Sequence, residues 1–269
     1  MAGFCQGGGV GKCIAEWIID GEPSIDVWAM DVARFGDYAS PQYGTIKSSE
    51  NYERRFIMTF PNETLPKGRK QKTTALYDRF VNQGAVMGDS FGLENVLWFA
   101  NSKEDAHEEP TIKRSRSHDY VSREVINVRE NVGLIEVANF SKHEFKGTDA
   151  RKFLDHVMAG KLPKPGRISL SPMLSYRGKL CGDLTVACFD ENEFMVFGSG
   201  AAQEMHRRWF ESHLDKFDVN YKNRSDEFHG ISIAGPNSRK VLEKIVRDNV
   251  TNEKFKFRDS RRMFVGGVP

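Results

Sequence analysis

Apolar residues fall at helical or alternating spacing along some stretches of this chain and are scattered along others. Ile14, Trp17 and Ile18 share one face of a helix predicted over 12–20, with Gly21 as its stop. The run Gly7-Gly8-Gly9-Val10-Gly11 before it reads as a turn leading into that helix. Glu22-Pro23 breaks the chain, and Ile25, Val27 and Trp28 predict an extended exit. Residues 36–72 hold Pro41, Pro61, Pro66 and a basic run at 67–72, the marks of a connecting segment, with one short strand at 56–60. Leu76, Phe80 and Val81 predict a helix over 73–82 that Gly84 closes. Residues 103–118 are polar, lack a period and read as a surface loop. Beyond them the signals are regular: helices over 120–129, 149–158 and 201–214, strands over 134–138, 183–189 and 193–197. This arrangement predicts an α+β fold with mixed or antiparallel sheets.

One internal echo adds to that picture. Gly147-Thr148-Asp149-Ala150-Arg151-Lys152-Phe153-Leu154-Asp155 matches Gly235-Pro236-Asn237-Ser238-Arg239-Lys240-Val241-Leu242-Glu243, and each follows a β-prone run. Asp149 and Asn237 stand where a helix N-cap is expected. Two readings fit: a duplicated strand–turn–helix unit, or the generic chemistry of helix starts.

Composition narrows the class. With 269 residues, 39% of them hydrophobic, the chain can bury a sizeable core. Charged residues are spread throughout, so no stretch approaches the ~20 apolar residues of a membrane span, and no signal peptide is evident. A formal charge of +2 gives no general case for nucleic acid. The basic runs at 67–72 and 113–116 lack interleaved aromatics and read as solvated surface, the second offset by Glu104, Asp105, Glu108 and Glu109. Cys5, Cys13, Cys181 and Cys188 form neither a CxxC pair nor a disulfide framework, which suits a reducing compartment, and no metal-ligand spacing occurs.

Candidate chemistry is sparse. The glycine run is not a Walker A loop, because Gln6 and Cys13 stand where Gly and Ser/Thr are needed around Lys12. Nor is it a dinucleotide fingerprint, since Lys12 takes the place of the third glycine. What remains is either a glycine-lined helix start whose backbone N–H groups meet an electron-rich group, or a close-packed turn. Seven histidines lie near no recognisable nucleophile motif. Asp183 is the one carboxylate singled out. It follows the turn Tyr176-Arg177-Gly178-Lys179 and opens Leu184-Thr185-Val186-Ala187-Cys188, where it is either an acid aimed into a cavity or a turn residue.

Several segments together resemble the dimethylglycine and sarcosine dehydrogenase family. Gly7-Gly8-Gly9-Val10-Gly11-Lys12, Ala15-Glu16-Trp17-Ile18 and Asp31-Val32-Ala33-Arg34-Phe35 look like the end of its FAD domain. Gly84-Ala85-Val86-Met87-Gly88 and Gly92-Leu93-Glu94-Asn95-Val96-Leu97-Trp98-Phe99 look like its connecting domain. Gly133-Leu134-Ile135-Glu136-Val137, Ser171-Pro172-Met173-Leu174, Gly182-Asp183-Leu184-Thr185-Val186 and Ile233-Ala234-Gly235-Pro236-Asn237-Ser238 are similar to the aminomethyltransferase, or T-protein, domain that binds folate.

The resemblance implies three parts: 1–35 as the end of an FAD-dependent oxidoreductase domain, 36–99 as the connector, and 100–269 as a folate-binding domain cut short. It implies oxidative demethylation of an N-methylated amine by FAD, with tetrahydrofolate capturing the one-carbon unit. Asp183 matches the aspartate beside the folate amine nitrogens, and Gly8, Gly9, Val10 and Gly11 match a helix start near the flavin. Two positions depart from the pattern: Leu170 replaces a folate-contacting Tyr, and Gly182 replaces the first of two paired acids. The expectation is an interior fragment of such an enzyme, from a bacterial cytoplasm or mitochondrial matrix, its missing FAD portion supplied in cis or by a partner chain. The alternatives are a flavin-independent aminomethyltransferase and a subunit that docks onto a separate FAD-bearing chain.

Overall fold

Strands β6 (Leu180–Asp190) and β7 (Glu193–Gly198) are apolar where they meet the core and polar at their joined ends. The computed structural model describes residues 3–268. Along the chain, α1 (Gly3–Asp20) leads through two 3-10 turns to α2 (Pro41–Glu53) and α3 (Tyr77–Asn82). The hairpin β1 (Ala85–Ser90) and β2 (Leu93–Phe99) follows, then α4 (Ser117–Glu130), β3 (Gly133–Glu136), β4 (Ser141–Lys146) and α5 (Ala150–Val157). Next come β5 (Arg167–Leu174), β6 (Leu180–Asp190), β7 (Glu193–Gly198) and α6 (Gln203–Glu211). The chain closes with β8 (Asn220–Asn223), β9 (Ile231–Ala234) and α7 (Ser238–Ile245). The main sheet runs β5-β6-β7-β4-β8, every neighbour antiparallel, and β3 pairs with β9 apart from it.

One face of the main sheet carries the core. Leu184, Val186 and Cys188 of β6, Phe194 and Val196 of β7 and Phe145 of β4 alternate onto it, all fully buried. Ala150, Phe153, Leu154 and Val157 repeat at helical spacing, so α5 presents one apolar stripe to that face. From α6, Phe210 fills the remaining space, its ring 5.0 Å from Phe145. Each buried Phe contributes roughly 1.5–3 kcal/mol relative to exposure.

The connecting segment is more ordered than its composition predicts. Helix α2 occupies 41–53, where Ser40 Oγ accepts the Tyr43 N–H and Pro41 stands in the first turn. Residues 56–60 form no strand; turn bonds such as Ile57 N–H to the Arg54 carbonyl replace it. The basic run at 67–72 is pinned rather than solvated. Arg69 makes a two-pronged pair with Glu94, which is 1% exposed, Lys67 pairs with Glu53, and Lys72 with Asp226. The β1–β2 turn uses Phe91 and Gly92 with φ of 50° and 80°, the left-handed geometry of a two-residue hairpin.

Helix α1 corrects the reading of the glycine run. The helix starts no later than Gly3 and passes through Gly8, Gly9, Val10 and Gly11, which are therefore interior positions, not a helix start. No Ser, Thr, Asp or Asn lies between Gly3 and Ile19 to cap a later start, so the helical bonding runs through. Gly21, at φ 81°, ends it by donating to the Trp17 carbonyl. The segment at 25–30, expected to be extended, turns into a 3-10 helix at Trp28–Met30.

The echoed segments fold alike. Each is a strand, a glycine of positive φ (146° at Gly147, 114° at Gly235) and a two-turn helix, α5 or α7. In each, the residue closing the helix makes an isolated antiparallel bridge, Met158 to Met173 and Val246 to Val265. The matching arginines also agree: Arg151 donates to the Pro163 carbonyl and Arg239 to that of Val250. Asp149 and Asn237 occupy the N-cap positions without capping, and Asp149 instead accepts from Lys152 and the Asp218 N–H.

Two stability predictions follow from these contacts. A Cβ at Gly147 would overlap the Asp218 carbonyl oxygen at a φ that L-residues rarely adopt. Gly147→Ala should therefore lower unfolding free energy by roughly 3 kcal/mol in a urea titration. His143 is fully buried against Tyr221, Phe210 and His206, and burial, reinforced by His206, lowers its pKa to about 3. Below the unfolded value near 6.5 the unfolded chain takes up a proton that the folded chain refuses. Stability should fall between about pH 6.5 and 3 by up to ~1.4 kcal/mol per pH unit from this ring. His143→Phe should remove that share of the slope, measured as urea midpoints at pH 7 and 5.5.

Candidate functional site: an open sheet face around Asp183

Two helices cover one face of the main sheet, and the face opposite is open along β5 and β6. The strand pleat puts Asp183 and Thr185 of β6 on this second face, about 7 Å apart along the strand. Pro172 stands across from Asp183 and Leu170 across from Thr185. Leu170 is 61% exposed, and Asp183 is exposed with no hydrogen bond or ion pair among the described residues. Asp183 thus lies inside β6 rather than at its head. An aspartate contributes nothing to strand propensity, and here it takes no structural partner.

Next to Asp183 the face deepens into a cavity of about 400 Å³. Ile168, Leu170 and Thr185 form its sheet side; Phe255, Phe257, Arg239, Lys256 and Arg258 form the wall. Arg239 reaches it from α7, held by the Val250 carbonyl. The acid in this wall, Asp259, is already engaged. It takes the Lys256 N–H and the Arg167 guanidinium, which keep its carboxyl below the ordinary range. The cavity therefore joins an apolar floor to a cationic wall, and can take a flat, partly apolar molecule bearing anionic groups; Asp183 lies outside its lining, two residues from Thr185.

Below the sheet, the bond from His206 Nε2–H to the Cys181 carbonyl, 3.2 Å, touches the same strand. Burial lowers the His206 pKa, against the pull of that carbonyl. Lys142 of β4, 3% exposed, is not a candidate nucleophile. Its ammonium donates to the carbonyls of Ala138, Phe140 and Ser225, at 2.9, 2.7 and 3.4 Å.

Of the positions singled out in the sequence, Asp183 and Leu170 come together here. Gly8, Gly9, Val10 and Gly11 lie in α1, which contributes nothing to this face. Sequence reading missed Arg239, Lys256 and Arg258. The stretch Lys254-Phe255-Lys256-Phe257-Arg258, basic and aromatic in alternation, carried a usable signal for the last two. Nothing in the sequence marked His206.

Residues 76–269 match the family described as the GCVT N-terminal domain, and residues 20–74 match the FAD dependent oxidoreductase central domain. The chain is 33% identical to the mitochondrial dimethylglycine dehydrogenase of Homo sapiens across 99% of its own length and 31% of that protein. To the mitochondrial sarcosine dehydrogenase of Homo sapiens it is 26% identical, over 99% of this chain and 34% of that one. The chain thus spans about a third of the length of these relatives. Among solved structures, the glycine cleavage system aminomethyltransferase T of Bartonella henselae shares the fold with a TM-score of 0.51 at 20% identity, over 64% of this chain and 43% of that one. The matched segment takes in the whole main sheet, Asp183 and the cavity beside it, and the chain belongs to the GCVT N-terminal domain family, with an FAD-dependent oxidoreductase central domain in front.

Proposed function

We propose that this chain forms the one-carbon acceptor portion of a flavin- and folate-dependent enzyme that demethylates dimethylglycine, sarcosine or a similar N-methylated amine. The observation that carries this is Asp183: an exposed carboxylate, unpartnered among the described residues, on the open face of a GCVT domain, two residues along β6 from Thr185 in the lining of an apolar and cationic cavity. Tetrahydrofolate has the matching chemistry, a flat heteroaromatic end and an anionic tail. On this reading the domain runs from about residue 100, preceded by a connector over 36–99 and, over 1–35, by the end of an oxidoreductase domain. The names of the relatives support a mitochondrial matrix setting.

Asp183 would act on protons. As one folate nitrogen adds to the iminium carbon of the oxidised amine, its proton passes to the carboxylate. Asp183 would return that proton to the departing amine, secondary from dimethylglycine and primary from sarcosine, and the second folate nitrogen would close the methylene bridge with loss of its own proton to solvent. The carboxylate's charge also stabilises the cation that precedes each step. Leu170, in place of the tyrosine of the family pattern, offers an apolar wall instead of a hydroxyl.

The oxidation that makes the iminium is assigned to FAD. The residues at Gly8, Gly9, Val10 and Gly11 do not fit the expected grip on it, because their N–H groups are committed to helical bonds, and no step is derived through that contact. A second reading, docking onto a separate FAD-bearing chain, draws on α1, which buries none of its residues and exposes Phe4, Ile18 and Ile19.

Titration of the chain with 5-formyltetrahydrofolate by calorimetry tests the first reading; absence of binding at millimolar concentration overturns it. Asp183→Asn should keep that binding within a few-fold. In an enzyme joining this chain to an FAD-dependent oxidoreductase domain, it should lower methylenetetrahydrofolate output by about 10²–10⁴-fold.

A further inference from the structure

Strand β6 is irregular just before Asp183. Met173 of β5 pairs with Gly182 and Leu174 with Leu180, so Cys181 is an extra residue with no partner across the ladder, a β-bulge. A bulge decides which face the residues beyond it present, and it leaves a peptide group that the ladder does not hold. Here the Cys181 carbonyl is taken by His206 of α6, from the core side, at 3.2 Å. A carbonyl only accepts, so Nε2 carries the proton. The ring is 2% exposed and rests against two glycines of adjacent strands: a Cβ on Gly182 would come within 3.0 Å of Nε2, and one on Gly198 within 2.9 Å of Nδ1. Both strands leave out a side chain where the imidazole lies. The paired acid of the family pattern, absent at Gly182, would occupy this same space.

We propose that His206 is a positioning residue: its Nε2–H holds the Cys181 bulge and thereby aims Asp183 onto the open face. This rests on the reading of Asp183 as the proton-handling acid of the folate site. The ring does its work through the backbone of Cys181 and Gly182, on the opposite side of the sheet from the ligand. Gly182 is then required for the same reason as His206, because a side chain there displaces the ring. Helix α6 keeps the ring in place through Phe210 in the core and Arg208, which pairs with Asp31 at 3.1 Å.

Two readouts separate this role from simple core packing. Amide hydrogen exchange is followed residue by residue in the unliganded chain for wild type, His206→Leu, His206→Gln and Gly182→Ala. Losing the donor should speed exchange at Gly182 and Asp183 about tenfold, the equivalent of one hydrogen bond, while Val186 and Val196 keep wild-type rates. His206→Gln, which retains an N–H donor, should restore protection, and Gly182→Ala should reproduce His206→Leu if the latter does not fold. Acceleration spread evenly over β6 and β7, or none at Gly182 and Asp183, overturns the proposal. The second readout is 5-formyltetrahydrofolate affinity in a double-mutant cycle. His206→Leu should weaken it several-fold with Asp183 present and have no further effect on Asp183→Asn; equal weakening in both backgrounds overturns the proposal. A wild-type chain that binds no folate would defeat the functional reading alone, and the exchange experiment would still decide the role of His206.

Discussion

The constraint on which the rest depends is that the main sheet is packed by helices on one side only. Phe145, Phe153, Phe194 and Phe210 are completely buried on that side, with Phe145 and Phe153 stacked at 5.3 Å and Phe145 and Phe210 edge-on at 5.0 Å. Aromatic pairs of this kind add about 0.5–1.5 kcal/mol each beyond their burial. Two helices of eight and nine residues supply the cover, too little for both faces. The pleat then sends every second residue of β5 and β6 to the opposite face, which Arg239 of α7 and the 255–259 segment meet at Leu170 and Thr185 and which is exposed at Asp183. A carboxylate can stay charged and unpartnered there without the desolvation that the opposite face would impose. The site is thus what the sheet leaves over once its core is built.

The segment ahead of the domain is tied to that arrangement at several points. Asp31 takes the Ala33 N–H and pairs with Arg208 of α6, and the Trp28 indole donates to the Ala201 carbonyl at 3.4 Å. Glu22 pairs with Arg177 in the turn between β5 and β6 at 2.9 Å. Each such pair, taken alone at the surface, contributes on the order of 0–1 kcal/mol. Their distribution matters more than their strength: they converge on the turn end of the strand pair that carries Asp183, on the turn directly and on the adjacent bulge through α6.

What the sequence made legible was periodic structure with apolar faces. Helix α5, with Phe153, Leu154 and Val157 in register, and strand β7 were readable because their burial follows their pattern. Strand β4 was missed because Ser141, Lys142, His143 and Glu144 look like surface, yet all are buried, the last three held by Ser225, Tyr221 and Arg224. Helix α2 has almost no apolar stripe; it is fixed by its Ser40 cap and by Glu50, which binds Lys47 and the Lys67 N–H. The β1–β2 turn carries Phe-Gly where Asn-Gly would have announced it. At the site, Asp183 was legible by its place in a motif, whereas the cavity wall is assembled from α7 and 255–259, far off in sequence. No local pattern encodes such a meeting.

The two echoed segments share a local design and put it to different ends. In the first copy α5 buries four residues, and Arg151 is fully employed: it lies 5.1 Å over the Phe194 ring, pairs with Glu191 and donates to Pro163. In the second copy α7 buries none, and Arg239 keeps only the matching bond, to Val250, among the described residues. The backbone bond common to both sets the loop after each helix, so it belongs to folding. With no salt bridge and no ring beneath it among the described residues, the second guanidinium lines the cavity beside Leu170 and Thr185. A guanidinium is always charged and costs most when buried without an anion. At Arg151 the anion is a salt-bridge partner, Glu191; Arg239 acts on an acid only through space, adding to the backbone and Thr251 hydrogen bonds that hold the Glu253 carboxyl below the ordinary range.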